Sequence, residues 1–198
     1  MASWDPFLAP DPGAAGAGAR NEAIELVGPH LRLTGTIDLR SFDRLSDLIN
    51  RRAGYVRIDQ ARLLRRNGEP TRLLLPQILI NEDEISFIAQ TAQEQASGTG
   101  ARGRGGPTPD RPLDVRQPRR LVIFTPGHTL SGTVHLYGDT DLAGFVDGAD
   151  PRFVPMVGVK ARSLADRRVI SHFEFALVNR TQMIAVSEVE VDDEEPIV

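Results

Sequence analysis

The sequence predicts a mostly β fold with short helices, arranged as two tandem small β-barrel-like domains, each a curled sheet plus one short helix. Three observations carry this expectation. Short stretches alternate apolar and polar residues with a period of two, the signature of strands with one dry face and one wet face. Two of these stretches carry a glycine on the inward face, at Gly35 and Gly132, where a bend or a close backbone approach is expected. The whole pattern then recurs along the chain.

The recurrence sets Gly35-Thr36-Ile37-Asp38-Leu39 against Gly132-Thr133-Val134-His135-Leu136, an offset of 97 residues. Pro29 falls on Pro126, Leu33 on Leu130 and Leu45 on Leu142. After one added residue the offset is 98, so that Val56 meets Val154, Leu79 meets Leu177 and Asn81 meets Asn179. Few residues are identical, but apolar positions, turn positions and spacing agree throughout, as a tandem duplication requires. The chain divides accordingly. Residues 1–21, rich in Ala, Gly and Pro, read as a disordered tail. Residues 22–91 form the first β repeat, 92–118 a flexible Gly/Pro/Arg linker, 119–187 the second β repeat and 188–198 an acidic tail.

Within each repeat the pattern reads β, short α, then three β. Leu33, Ile37 and Leu39 alternate with Arg32, Thr34, Thr36 and Asp38 in the first strand. A helix follows, with Asp43 as cap and Leu45, Leu48 and Ile49 as its i, i+3, i+4 stripe. The second copy offers Thr140 or Asp141 as cap and Leu142, Phe145 and Val146 as stripe. Between Tyr55 and Leu64 the inward parity changes from Val56 and Ile58 to Ala61 and Leu63, which predicts a bulge near Asp59-Gln60. Gly158 holds the same place in the second copy. Leu73–Ile80 and Ile85–Ala89 read as a hairpin around Asn81-Glu82-Asp83-Glu84, and Asn179 repeats the asparagine.

The run Leu33 to Leu39, the helix segment Arg44-Leu45-Ser46-Asp47-Leu48-Ile49-Asn50, the strand opening Tyr55-Val56 and the segment Leu79-Ile80-Asn81 together resemble a small bacterial β-rich domain family of unknown function. The resemblance covers residues 30–90. The second repeat keeps the strand and the asparagine but has Asp141-Leu142-Ala143-Gly144-Phe145 in the helix. The resemblance implies no activity.

Composition limits the chemistry. The absence of cysteine excludes disulfides and thiolate metal sites. His128 and His135 lie seven apart in one strand and project to opposite faces, while His172 and His30 fall at an outward and a strand-end position. No metal or other cofactor is expected. Asp43 and Asp47, one helical turn apart, suit a cap and a solvated face better than a catalytic pair. No Gly-x-Gly-x-x-Gly opens a helix, and neither a Walker-type Gly-Lys-Ser/Thr nor a Gly-x-Ser-x-Gly elbow occurs. The expectation is therefore not an enzyme. A net charge of −4 argues against nucleic-acid or anionic-membrane binding, no apolar run is long enough to cross a bilayer, and the start Met1-Ala2-Ser3-Trp4 lacks a signal pattern. A cytoplasmic location is expected.

The reading that follows is a binding or assembly module whose partner is a protein or another copy of itself. Trp4, Phe7, Phe42 and Tyr55 are the candidate anchors, because aromatic side chains dominate such contacts. The alternative is a nucleotide or RNA binder that holds phosphate with Arg65, Arg66 and Arg72 around the Asn67-Gly68 turn.

Overall fold

The structure, a computed structural model, describes residues 20–51, 54–91, 116–138, 140–148, 150–165 and 169–189. The first half contains β1 (Asn21–Val27), β2 (Arg32–Asp38), α1 (Leu45–Arg51), β3 (Tyr55–Leu64), β4 (Pro70–Asn81) and β5 (Phe87–Gln90). The second half contains β6 (Arg116–Thr125), β7 (His128–Tyr137), α2 (Leu142–Asp147), β8 (Phe153–Ser163), β9 (Val169–Asn179) and β10 (Ala185–Glu188). All ten strands join one antiparallel sheet in the order β10-β6-β7-β8-β9-β5-β1-β2-β3-β4.

That order corrects the barrel-like expectation. A barrel needs its first and last strands to pair, whereas among the described residues β4 and β10 each have one neighbour and the sheet stays open. Within it, the second half runs β10-β6-β7-β8-β9 and the first β5-β1-β2-β3-β4, the same order of corresponding strands. Registers correspond too. Ile24 lies opposite Gly35 as Leu121 lies opposite Gly132, and Val56 opposite Ile80 as Val154 opposite Val178.

Each half begins with a strand that periodicity from Leu33 onward does not reveal. β1 buries Ile24 and Leu26 on one side, but its other side hides Glu25, which accepts a bond from Arg32 at 2.6 Å. A buried ion pair makes an inward position look like a solvent position. β6 begins at Arg116, inside the stretch read as linker, because Arg116-Gln117-Pro118-Arg119-Arg120 is polar although its backbone pairs with β7. The tail boundary also moves, since β1 starts at Asn21 and β10 ends at Glu188.

The expected hairpin is replaced by a crossover. Asn81 and Asn179 each cap a three-residue 3-10 turn, accepting from the backbone N–H two residues on. The turn carries the chain away from β4, and β5 pairs with β1 and β9 instead; likewise β10 pairs with β6 and not with β9. The bulge lies where the parity change put it. Gln60 has φ 52° and Gly158 φ 61°, and the β2–β3 and β7–β8 ladders slip beside them. Gly35 and Gly132 sit opposite these bulges, and a Cβ on Gly132 would stand 2.9 Å from the Val157 carbonyl oxygen. The inward glycines therefore allow close strand approach.

Leu45, Leu48 and Ile49 are buried as their spacing requires. Asp43 does not cap α1: the helix starts at Leu45, and the Asp43 carboxylate lies exposed 3.7 Å from Arg20. Asp141 does cap α2, accepting from Gly144 N–H at 2.7 Å.

Candidate interaction surface

Among the described residues there are two hydrophobic clusters, and each borrows side chains from the other half. The first, built on Ile24, Leu33, Leu48 and Ile58, also contains Phe153 and Leu177. The second, built on Ile123, Leu130, Met156 and Val159, also contains Val27, Phe87 and Ala89. The exchange follows from strand geometry. Successive side chains of a strand point to opposite faces, so Ile88 enters the first cluster while Phe87 and Ala89 enter the second.

The ladder at this joint is short. β5 meets β9 with Phe87 opposite Val178, Ile88 opposite Leu177 and Ala89 opposite Ala176. Polar contacts lock it. Asn50 Nδ2 donates to the Phe153 carbonyl at 3.0 Å, and its Oδ1 accepts from Phe153 N–H at 2.7 Å. Asn179 Nδ2 donates to the carbonyls of Glu82 and Ile85 at 2.9 and 2.8 Å. Arg152 bridges Glu82 at 3.0 Å and also reaches Asp83. Arg32, anchored by Glu25, donates to Ser171 Oγ at 3.2 Å. On the second face Phe87 packs edge-on against Phe173 and His128, with centroids 6.1 and 5.9 Å away. Burial first, and the Arg32 charge second, push the His128 pKa below its ordinary 6.5.

The sheet ends elsewhere. β4 is 12 residues long, pairs among the described residues only with β3, and exposes Leu73, Leu74 and Leu79, with Tyr55 exposed at the start of β3. A long apolar edge strand is a template for another chain. Pro70 and Pro76, which donate no backbone hydrogen bond, interrupt this edge and leave Gln77–Asn81 as its uninterrupted run.

The sequence-derived anchors fall in different places. Tyr55 is exposed at this edge. Phe42 is half-buried against the first cluster, with the Arg51 guanidinium 5.6 Å from its ring centre. Trp4 and Phe7 lie outside the described residues. Arg65 and Arg66 are exposed in the β3–β4 turn, and Arg72 is exposed on β4. Leu73, Leu74 and Leu79 were not among the anchors, because an alternating strand hides which of its sides is an edge. The repeated Asn81/Asn179 pair held the clue, since a cap uses only the Oδ1 of the side chain.

A depression of about 60 Å³, lined by Ile37, Asp38, Arg40, Arg57 and Asp59, carries both signs of charge. It is far below the roughly 300 Å³ at which small-molecule pockets begin. The carboxylates of Glu25, Glu82 and Asp59 are committed to Arg32, Arg152 and Arg57.

Fold and surface together define a mostly β chain of one open antiparallel sheet with an apolar edge. No family model matches the sequence, and neither a curated protein nor a solved structure matches it.

Proposed function

We propose that this chain is a non-enzymatic binding and assembly module built from two copies of one β unit, which meets a protein partner along the β3–β4 edge. The carrying observation is the outer side of β4, unpaired among the described residues, with Tyr55, Leu73, Leu74 and Leu79 exposed beside it. Strand addition to such an edge gains main-chain hydrogen bonds, and the alternate apolar side chains supply selectivity. Matching strand order and register in the two halves support the copied unit, and the β5–β9 joint supplies an example of the same kind of contact within the chain. The pairing of Glu25, Glu82 and Asp59 with Arg32, Arg152 and Arg57 gives these three carboxylates a structural role.

Photo-crosslinking in the native host tests this reading. A benzophenone amino acid at position 79 should give protein adducts, while one at the exposed β9 position Glu174 should give none. Adducts at position 79 that disappear on RNase treatment, or no protein adduct there, would reject the reading. Micromolar binding of single-stranded RNA or a cyclic dinucleotide, lost on replacing Arg65, Arg66 and Arg72, would favour the phosphate-binding alternative.

A further inference from the structure

The joint between the two halves is head to tail. It uses β5 of the first half and β9, the strand that corresponds to β4, of the second. Among the described residues the sheet therefore ends in the two unused sides of the same joint: β10, which corresponds to β5, at one edge, and β4 at the other. We propose that a second copy of this chain docks across these edges, with β10 of one copy antiparallel to β4 of the next. Transferring the internal register places Ala185 opposite Ile80, Val186 opposite Leu79 and Ser187 opposite Ile78. This rests on the edge-binding reading above and names its partner.

Three observations point to this occupant. The first is exposure at corresponding positions. Leu177 and Phe153 are both 0% exposed inside the joint, whereas their counterparts Leu79 and Tyr55 are 53% and 59% exposed at the β4 edge. On the opposite side, Ile49 is 2% exposed under the joint, whereas its counterpart Val146 on α2 is 43% exposed. The side chains that the internal joint covers are those left open at the two ends, on both of its sides.

The second is the asparagine. Asn179 spends Oδ1 on its own turn, accepting from Thr181 N–H at 3.1 Å, and Nδ2 on two carbonyls of the other half. Asn81 makes the same turn bond, from Asp83 N–H at 3.0 Å. Its Nδ2 makes no bond among the described residues, and in the transferred register the carbonyls of Arg180 and Met183 of the second copy take the receiving positions.

The third is charge. The internal joint sets Arg152 against Glu82 and Asp83. At the outer edges these positions are held by Gly54, Arg180 and Thr181, so the ion pair is lost without a like-charge contact. The β4 edge is instead flanked by Arg65, Arg66 and Arg72. The sequence after β10 supplies Glu190, Asp192, Asp193, Glu194 and Glu195. The two sets are opposite in charge.

The outer joint is the weaker of the two. Ala185 and Leu75 stand where Phe87 and Phe173 meet inside, so less apolar surface is covered. Assembly is therefore reversible and concentration-dependent. Because the two edges are unlike, each added copy presents the same free pair again, until a ring closes or a filament grows.

The test uses the full chain. Light scattering coupled to size exclusion should give a mass that rises above the 21.7 kDa of one chain as concentration increases. Leu79→Arg blocks β4 and Val186→Arg blocks β10, and each alone should remain at the single-chain mass. Mixed in equal amounts, they retain one good edge each and should form a two-chain particle that grows no further. Val186 is half-buried, so Ile184→Arg, at a position 68% exposed, serves as a second head variant, with circular dichroism checking the fold of all three. A wild-type chain monomeric at every concentration would overturn the proposal. So would an assembly unaffected by the edge variants, a mixture that stays monomeric, or self-association of the Val186→Arg chain alone, which a symmetric β4–β4 contact would give. If the wild type is monomeric while position 79 still crosslinks a different protein in cells, the docking of a second copy fails and the edge-binding reading stands.

Discussion

His128 shows how one side chain reports on the joint. It follows the left-handed Gly127 at the start of β7, with its ring edge-on to Phe87 of the other half. Burial and the nearby Arg32 charge both disfavour its protonated form. The folded pKa therefore lies below the unfolded value of 6.5. In the window between the two values the unfolded chain binds more protons, so stability rises with pH. The stabilising contribution is fully present above pH 6.5 and is lost as pH falls toward the folded pKa. Thermal melts from pH 7.5 downward should show the midpoint dropping once pH passes below about 6.5. His128→Gln should flatten that limb while leaving the acid unfolding driven by carboxylates. An unchanged pH profile in the variant would mean that His128 is not the group responsible. The sequence showed only that His128 and His135 take opposite faces; that His128 touches a residue of the first half depends on the β5–β9 pairing, which no local pattern encodes.

At the scale of elements, what was legible was what local periodicity controls. The stripe of α1, the inward positions of β2 and β7, the bulges at Gln60 and Gly158 and the close approach at Gly35 and Gly132 all follow from spacing or from the conformational reach of glycine. β1 and β6 escaped because Glu25 is buried through its pairing with Arg32, and because β6 opens with charged residues and a proline. The direction taken by the chain after β4 was equally hidden. Asn81 signals a turn, but whether the next strand folds back or crosses the sheet is decided by Phe87 and Ile88 finding apolar surroundings on opposite faces. Phe87 is thus the element-scale test. It is fully buried and belongs to the second cluster although it comes from the first half. Phe87→Ala should cost about 3–5 kcal/mol. That cost should lower the transition of both halves together, seen as one calorimetric peak moving down intact. A variant scan with two separated peaks, only one of them displaced, would show that the joint does not couple the halves.

For the whole molecule, the pattern of the chain suggests two separable domains, whereas the geometry makes one sheet whose clusters interpenetrate. The joint combines a strand ladder, the Asn50 and Asn179 clamps, the Arg152 ion pairs and the exchanged Phe87, Phe153 and Leu177 side chains. A surface of this kind, with apolar side chains from each half fully buried in the other's cluster, does not need a covalent tether once formed. The covalent link only raises the local concentration of one half near the other. A protease site inserted between residues 100 and 106 and cleaved after folding should therefore leave residues 20–91 and 116–189 together. The nicked protein should elute in size exclusion at the volume of the uncut chain. Its melting temperature should become dependent on protein concentration, because unfolding now releases two chains. Arg152→Ala in the nicked protein removes the partner of the buried Glu82 carboxylate, and should lower the concentration-dependent melt further than the same change in the uncut chain. Elution of the nicked protein as two smaller species at micromolar concentration would show that the linker, and not the β5–β9 joint, holds the halves together.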